Sequence, residues 1–244
     1  PPWPTYEPLQ VKFFKRLAPN GANGMLITTS NHVGTHLDGP LHFDTAGRDI
    51  ASLEMDKLMG PGVVVDLSAI ASDWSIYTPQ ELMDRVEVKT GDILYINTGY
   101  HRYGFDQPEA DERRYMLRHP GPSMDFVDWI KEMKIKHIAV DCGSADHPMN
   151  TKSRDWEPLE AQACDKVMKE RYGKGLNEIY PWPDVYQAMH VKVFPKPWEI
   201  IHVENIGGEI DQVLNKRLIL GNLPWKFQYG ESAFCRCIAI DEIA

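Results

Sequence analysis

Short apolar runs closed off by turn residues, rather than long periodic stretches, set the pattern of this chain. Six of them read as strands, at 24–30, 63–67, 93–98, 137–141, 200–204 and 235–240. Each is β-branched or otherwise apolar and is bounded by Gly, Pro, Asp or Asn. Helical signals lie between them. Thr78-Pro79-Gln80-Glu81 offers an N-cap threonine, a proline in the first turn and an acid close behind it. The stretch 123–133 places apolar residues at helical spacing behind an N-cap serine, Ser123, and 159–172 is a third helix candidate. Residues 1–25, rich in Pro and aromatics, suggest an ordered arm or lid. The polar, uneven stretch 146–182 reads as an insertion over one edge. No repeat, linker or domain boundary interrupts the pattern, so residues 1–244 are read as one mixed α/β domain.

Composition narrows the function classes. At 244 residues with 43% hydrophobic and 25% charged side chains, the chain can bury a sizeable core. A net charge of −9 and the lack of a basic face argue against a nucleic-acid partner. No apolar run approaches the roughly 20 residues of a membrane span. The four cysteines, Cys142, Cys164, Cys235 and Cys237, form no C-x-x-C pair or zinc-ribbon spacing. Core packing in a reduced cytoplasm is their simplest use. The chain begins Pro1-Pro2-Trp3 without an initiator Met, which leaves room for a removed signal peptide.

The chemistry concentrates in one segment. His32-Val33-Gly34-Thr35-His36-Leu37-Asp38-Gly39-Pro40-Leu41-His42-Phe43 carries three imidazoles and a carboxylate, all on even positions. Neutral imidazole with carboxylate suits Zn2+ or Mn2+. A straight strand at about 3.3 Å per residue would hold His32 and His42 roughly 33 Å apart. A shared site therefore requires the chain to fold back, which Gly34, Gly39 and Pro40 permit. His32, His36 and Asp38 can supply three ligands. His42 is either a further ligand or a base beside them, and a titratable imidazole near neutral pH favours the second role. Completion from elsewhere points to 190–205, which holds His190, His202 and Glu204. A histidine in a strand is more often a hydrogen-bonded core group, and Pro195 and Pro197 interrupt this segment.

The pattern His32-x-Gly-Thr-His36-x-Asp38-x-Pro40-x-His42-Phe43 resembles the signature of the cyclase superfamily of metal-dependent hydrolases, which includes bacterial kynurenine formamidases and isatin hydrolases. Trp3-Pro4 resembles an early Trp-Pro that helps form the substrate pocket of the formamidases. The segments 62–68 and 91–99 are similar to strand and turn segments of these proteins, and Glu204-Asn205 resembles their late Glu-Asn pair, with His190 preceding it. The resemblance implies an α/β fold with a β-barrel-like core flanked by helices, and homo-oligomers (dimers or tetramers) whose subunits shape each other's pockets. It implies one metal on His32, His36 and Asp38, a second on His190 and Glu204 with Asp38 bridging, and His42 as proton shuttle. Relatives with one metal use an amide side chain, for which Gln187 lies close enough.

The expected activity is hydrolysis of a small amide, cyclic or N-formyl, by metal-activated water. Trp3, Tyr6, Phe13, Phe14 and Phe43 offer aromatic surface for a flat substrate. Phe43 should lie near the site, although strand alternation would aim it elsewhere. A lactone or ring-ester hydrolase differs only in its leaving atom. A non-catalytic metal protein would show a closed coordination shell instead.

Overall fold

The structure, a computed structural model, describes residues 3–241. Among them eleven strands form: β1 Gln10–Lys15, β2 Gly24–Thr28, β3 His36–Asp38, β4 Met59–Asp66, β5 Ile76–Tyr77, β6 Ile93–Asn97, β7 Gly121–Pro122, β8 His137–Val140, β9 Ile201–Glu204, β10 Arg217–Pro224 and β11 Ser232–Ile240. Seven close into a barrel in the order β10-β11-β3-β9-β8-β6-β4. β4, β6, β8 and β9 pair in parallel, and β9, β3, β11, β10 and β4 pair antiparallel. The parallel strands are the apolar runs of the sequence. Gly62 is required where β4 meets β6, because a Cβ there would lie 2.3 Å from the Ile93 carbonyl oxygen.

Alternation along the strands divides the core in two. All seven barrel strands contribute to one cluster, among them Leu37, Val64, Tyr95, Ala139, Val203, Leu220 and Ala233, and this cluster fills the barrel. The opposite faces, carrying Val63, Val65, Leu94, Ile96, Ile138 and Val140, pack against Leu82, Phe126, Ile130, Cys164 and Met168 of the helical layer. His36 and Asp38 flank Leu37, and His202 and Glu204 flank Val203. All four therefore project from the outer face of the barrel, under the helices.

Several local expectations change in three dimensions. Thr78 does cap its helix, with a reciprocal bond to Glu81. Ser123 does not cap the next one: the helix is Phe126–Glu132, and the Ser123 hydroxyl bonds Asp125 instead. The stretch 146–182 is no edge insertion. Its helix Pro158–Tyr172 buries Cys164 and Met168 in the main core, and 144–151 is buried beside the site. The N-terminal arm contains a hairpin of β1 and β2 outside the barrel, and Phe13 and Phe14 are exposed on it rather than facing a pocket. Cys235 and Cys237 are half-buried against the barrel core, and all four cysteines are free. No described helix is long and apolar enough to cross a membrane.

Candidate metal centre

The His-rich segment folds back as its composition demands. Gly34 turns the chain at φ +66°, a left-handed conformation that suits glycine. β3 then runs for three residues, and a 3-10 turn, Pro40–His42, brings His42 back over Asp38. In the barrel His36 pairs directly with Glu204 and Asp38 with His202. Opposite residues in such pairs have Cβ atoms about 5 Å apart, so the register itself gathers two imidazoles and two carboxylates. His32 and His42 arrive from the segment's two ends, and His190 from the short helix Ala188–Val191.

Asp38 is the hub. Its Oδ1 lies 3.1 Å from His32 Nδ1 and 3.4 Å from His36 Nε2. Its Oδ2 lies 3.8 Å from His190 Nε2 and 3.9 Å from His42 Nε2. Glu204 closes the ring, with Oε1 at 3.4 Å from His190 Nε2 and Oε2 at 3.8 Å from His36 Nε2. The far side of each imidazole is fixed. His36 Nδ1–H donates to the Gly34 carbonyl at 2.9 Å, and His190 Nδ1 is 2.6 Å from Asp146 Oδ2. Both arrangements leave Nε2 as the inward nitrogen, the way a protein orients a metal-binding histidine.

Electrostatics follow from these contacts. Burial opposes charge on His32, but Asp38 and Glu231 outweigh it and raise its pKa to about 10 in the metal-free protein. Burial likewise opposes charge on His190, and hydrogen bonds to Asp146, Asp38 and Glu204 override it and hold the group well above its ordinary range. Burial pushes Asp38 up, yet His32, His42 and His36 together hold it well below the usual carboxylate range. Carboxylates this crowded call for positive charge between them. The inward atoms His36 Nε2 and Asp38 Oδ1 are buried and lack a hydrogen-bond partner, a costly arrangement for an ordinary polar core. The donor set is imidazole and carboxylate without sulfur, which fits Zn2+ or Mn2+. Three triads hold ligand atoms within 4.8 Å of one another: His32–Asp38–His42, His36–Asp38–Glu204 and His190–His202–Glu204.

The cluster opens into a cavity of about 320 Å³ whose walls include Trp3, Tyr6, Phe43, Tyr186 and Gln187. Phe43 faces the site, 4.8 Å from the His42 ring and 4.9 Å from His190, because the 3-10 turn replaces strand alternation at that point. Gln187 is buried at the cavity, with a left-handed backbone at φ 40°.

Two residues, Glu231 and Asp146, escape a reading of the sequence, and a third, His202, differs from it. Glu231, just before β11, lies 2.7 Å from His42 Nδ1 and 3.0 Å from His32 Nε2. Burial raises its pKa, but hydrogen bonds to His32 and His42 prevail and lower it below the ordinary range. Asp146 orients His190 from within the stretch read as an insertion. His202, read as a hydrogen-bonded core group, is buried with neither ring nitrogen partnered, and its burial beside His190 keeps it neutral. Gly230-Glu231-Ser232 carries no recognisable signal, whereas the alternation of His202 with Glu204 was a usable one.

Comparison with known proteins identifies the family and the fold. The Cyclase family model matches residues 1–147, more than half of the chain. Kynurenine formamidase from Bacillus cereus is 27% identical over 126 residues, covering 52% of this chain and 54% of that protein. The chain thus spans about half the length of such formamidases. Cyclase-like protein 1 of Arabidopsis thaliana is 31% identical over 190 residues, covering 68% of this chain and 69% of its own. Isatin hydrolase A from Ralstonia solanacearum shares the fold with a TM-score of 0.71 at 19% identity, covering 96% of this chain and 82% of that one.

Proposed function

The chain belongs to the Cyclase family, and from that premise we propose that it is a metal-dependent hydrolase that cleaves the C–N bond of a small, flat amide, either cyclic or N-formyl. The single observation that carries this reading is the ring of inward nitrogen and oxygen atoms around Asp38, two of them buried without partners. His32, His36 and Asp38 would hold one divalent cation, Mn2+ or Zn2+, and His190 and Glu204 with the second oxygen of Asp38 would hold another. When bound, such a cation polarises the carbonyl and lowers the pKa of water near it.

The chain's own residues do the rest. His42 Nε2 faces the cluster while Nδ1 is tied to Glu231 at 2.7 Å. Anchored in this way, Nε2 takes a proton from the attacking water and returns it to the departing nitrogen. Glu231 is the positioning residue for that transfer. Amide nitrogen leaves poorly unless protonated, so the step matters more here than in ester cleavage. Trp3 and Phe43 line the cavity and hold the flat substrate over His42 and His190. Names of relatives support an aryl amide: formamidase on one side, isatin hydrolase on the other. The exposed apolar hairpin supports a homo-oligomer in which it rests on another copy.

The test is hydrolysis of N-formylkynurenine and isatin in parallel, on metal-stripped protein refilled with Zn2+ or Mn2+. Turnover of either that requires metal supports the proposal and assigns the amide class. Turnover of lactones with neither amide cleaved would replace it with ring-ester hydrolysis.

A further inference from the structure

His202 has no part in the proposed assignment, yet it faces the same ring. It sits on β9 directly opposite Asp38, fully buried, with both ring nitrogens unpartnered. Other buried imidazoles of this protein do find partners. His119 Nδ1 lies 2.8 Å from the Pro120 carbonyl, His137 Nδ1 lies 3.0 Å from that of Lys57, and His147 Nδ1 accepts from the Met149 amide at 3.2 Å. An imidazole serving only as packing on β9 would leave two polar atoms unmade, where an aliphatic side chain would leave none. Its surroundings are also specific. The His202 ring is 4.8 Å from that of His190 and 4.6 Å from that of Phe194, so it is wedged toward the site rather than free to swing. Ligand atoms of His190, His202 and Glu204 all lie within 4.8 Å of one another.

We infer that His202 is itself a metal ligand, which makes His190, His202 and Glu204 a two-imidazole, one-carboxylate subsite beside the one built by the His-rich segment. The inference rests on the reading of this cluster as a metal centre. It adds a consequence for selectivity. Two imidazoles favour a borderline cation such as Zn2+ or Co2+ over a hard one such as Mn2+ or Mg2+ at this subsite. The two subsites then match in donor set, since His32, His36 and Asp38 likewise offer two imidazoles and one carboxylate.

The experiment is titration of the metal-stripped full chain with Zn2+ and with Co2+, followed by calorimetry and by the visible absorption of Co2+. The wild type is compared with His202→Leu, His202→Asn and, for the other subsite, His32→Ala. The wild type should take two equivalents. Both His202 variants should keep one and weaken the other by more than about tenfold, with altered Co2+ bands. His32→Ala should affect the opposite equivalent. Metal-free His202→Leu should melt no lower than the wild type, since an unpartnered imidazole has been removed, while its gain in Tm on adding Zn2+ should shrink. Two equivalents bound by the His202 variants with unchanged affinity and spectrum would overturn the assignment and leave the metal centre intact. So would a single equivalent in the wild type that is indifferent to His202. A wild type that takes up no cation would instead sink the metal-hydrolase reading, and this inference with it.

Discussion

At the scale of single residues, the site divides roles between side chains that look alike in sequence. His36, His42 and His190 each commit Nδ1 to an oxygen and present Nε2, but His42 is the more open to the cavity, its side chain 15% exposed against 2% and 3%. Replacing His42 with Ala should therefore leave bound metal unchanged and lower turnover by about 10²–10⁴-fold. Metal analysis and kcat on the same sample check both halves, and loss of metal would make His42 a ligand. Glu231→Gln keeps the shape but removes the charge that anchors His42. It should reduce kcat by about 10–100-fold with KM little changed. The four residues of the His-rich segment were legible because they lie within eleven positions on one face. Asp146 and Glu231 were not, because they meet their histidines across 44 and 199 residues, and nothing local marks an acid that will be brought in by topology.

At the scale of elements, the site depends on β3 being held between β9 and β11. Leu37 sits fully buried in the barrel core between His36 and Asp38, and it anchors both of them from behind. Leu37→Ala should cost about 2–5 kcal/mol of stability, measured by urea unfolding, and should loosen metal binding as well. The apolar strands that build the parallel half of the barrel were readable because each is a buried run between turn residues. β1 was not, since its residues Val11, Phe13 and Phe14 are exposed and, among the described residues, it pairs with β2 alone. Ser123 misleads for a related reason: a residue with a capping side chain lost the position to Asp125 once the chain packed.

At the scale of the whole molecule, two properties follow from burial. His119, His137 and His147 are held down by burial to about 4, 3 and 3, against 6.5 in the unfolded chain. Between those values the unfolded state binds more protons, so stability must fall as pH drops below 6.5, at about 1.4 kcal/mol per pH unit for each histidine. His32, His101 and His190 are shifted up, so in metal-free protein they are charged in both states below 6.5 and add no slope there. Their contribution is lost instead as pH rises through their folded values. Urea unfolding of the metal-stripped protein at about pH 7, 6 and 5 checks the sign. The hairpin of β1 and β2 leaves Phe14, Leu17 and Leu26 more than half exposed. In the homo-oligomer proposed above, this surface would be covered by another copy. Phe14→Asp combined with Leu26→Asp should shift the protein toward monomer in light scattering without altering the fold.

The measurement that bears most directly on the central claim is a return titration of the metal-stripped protein with Zn2+ or Mn2+, reading bound metal and amide hydrolysis on the same aliquots. Turnover should be absent without metal and rise in step with occupancy. Full hydrolysis by the stripped protein, or stoichiometric loading with no hydrolysis of amide or lactone, would contradict it.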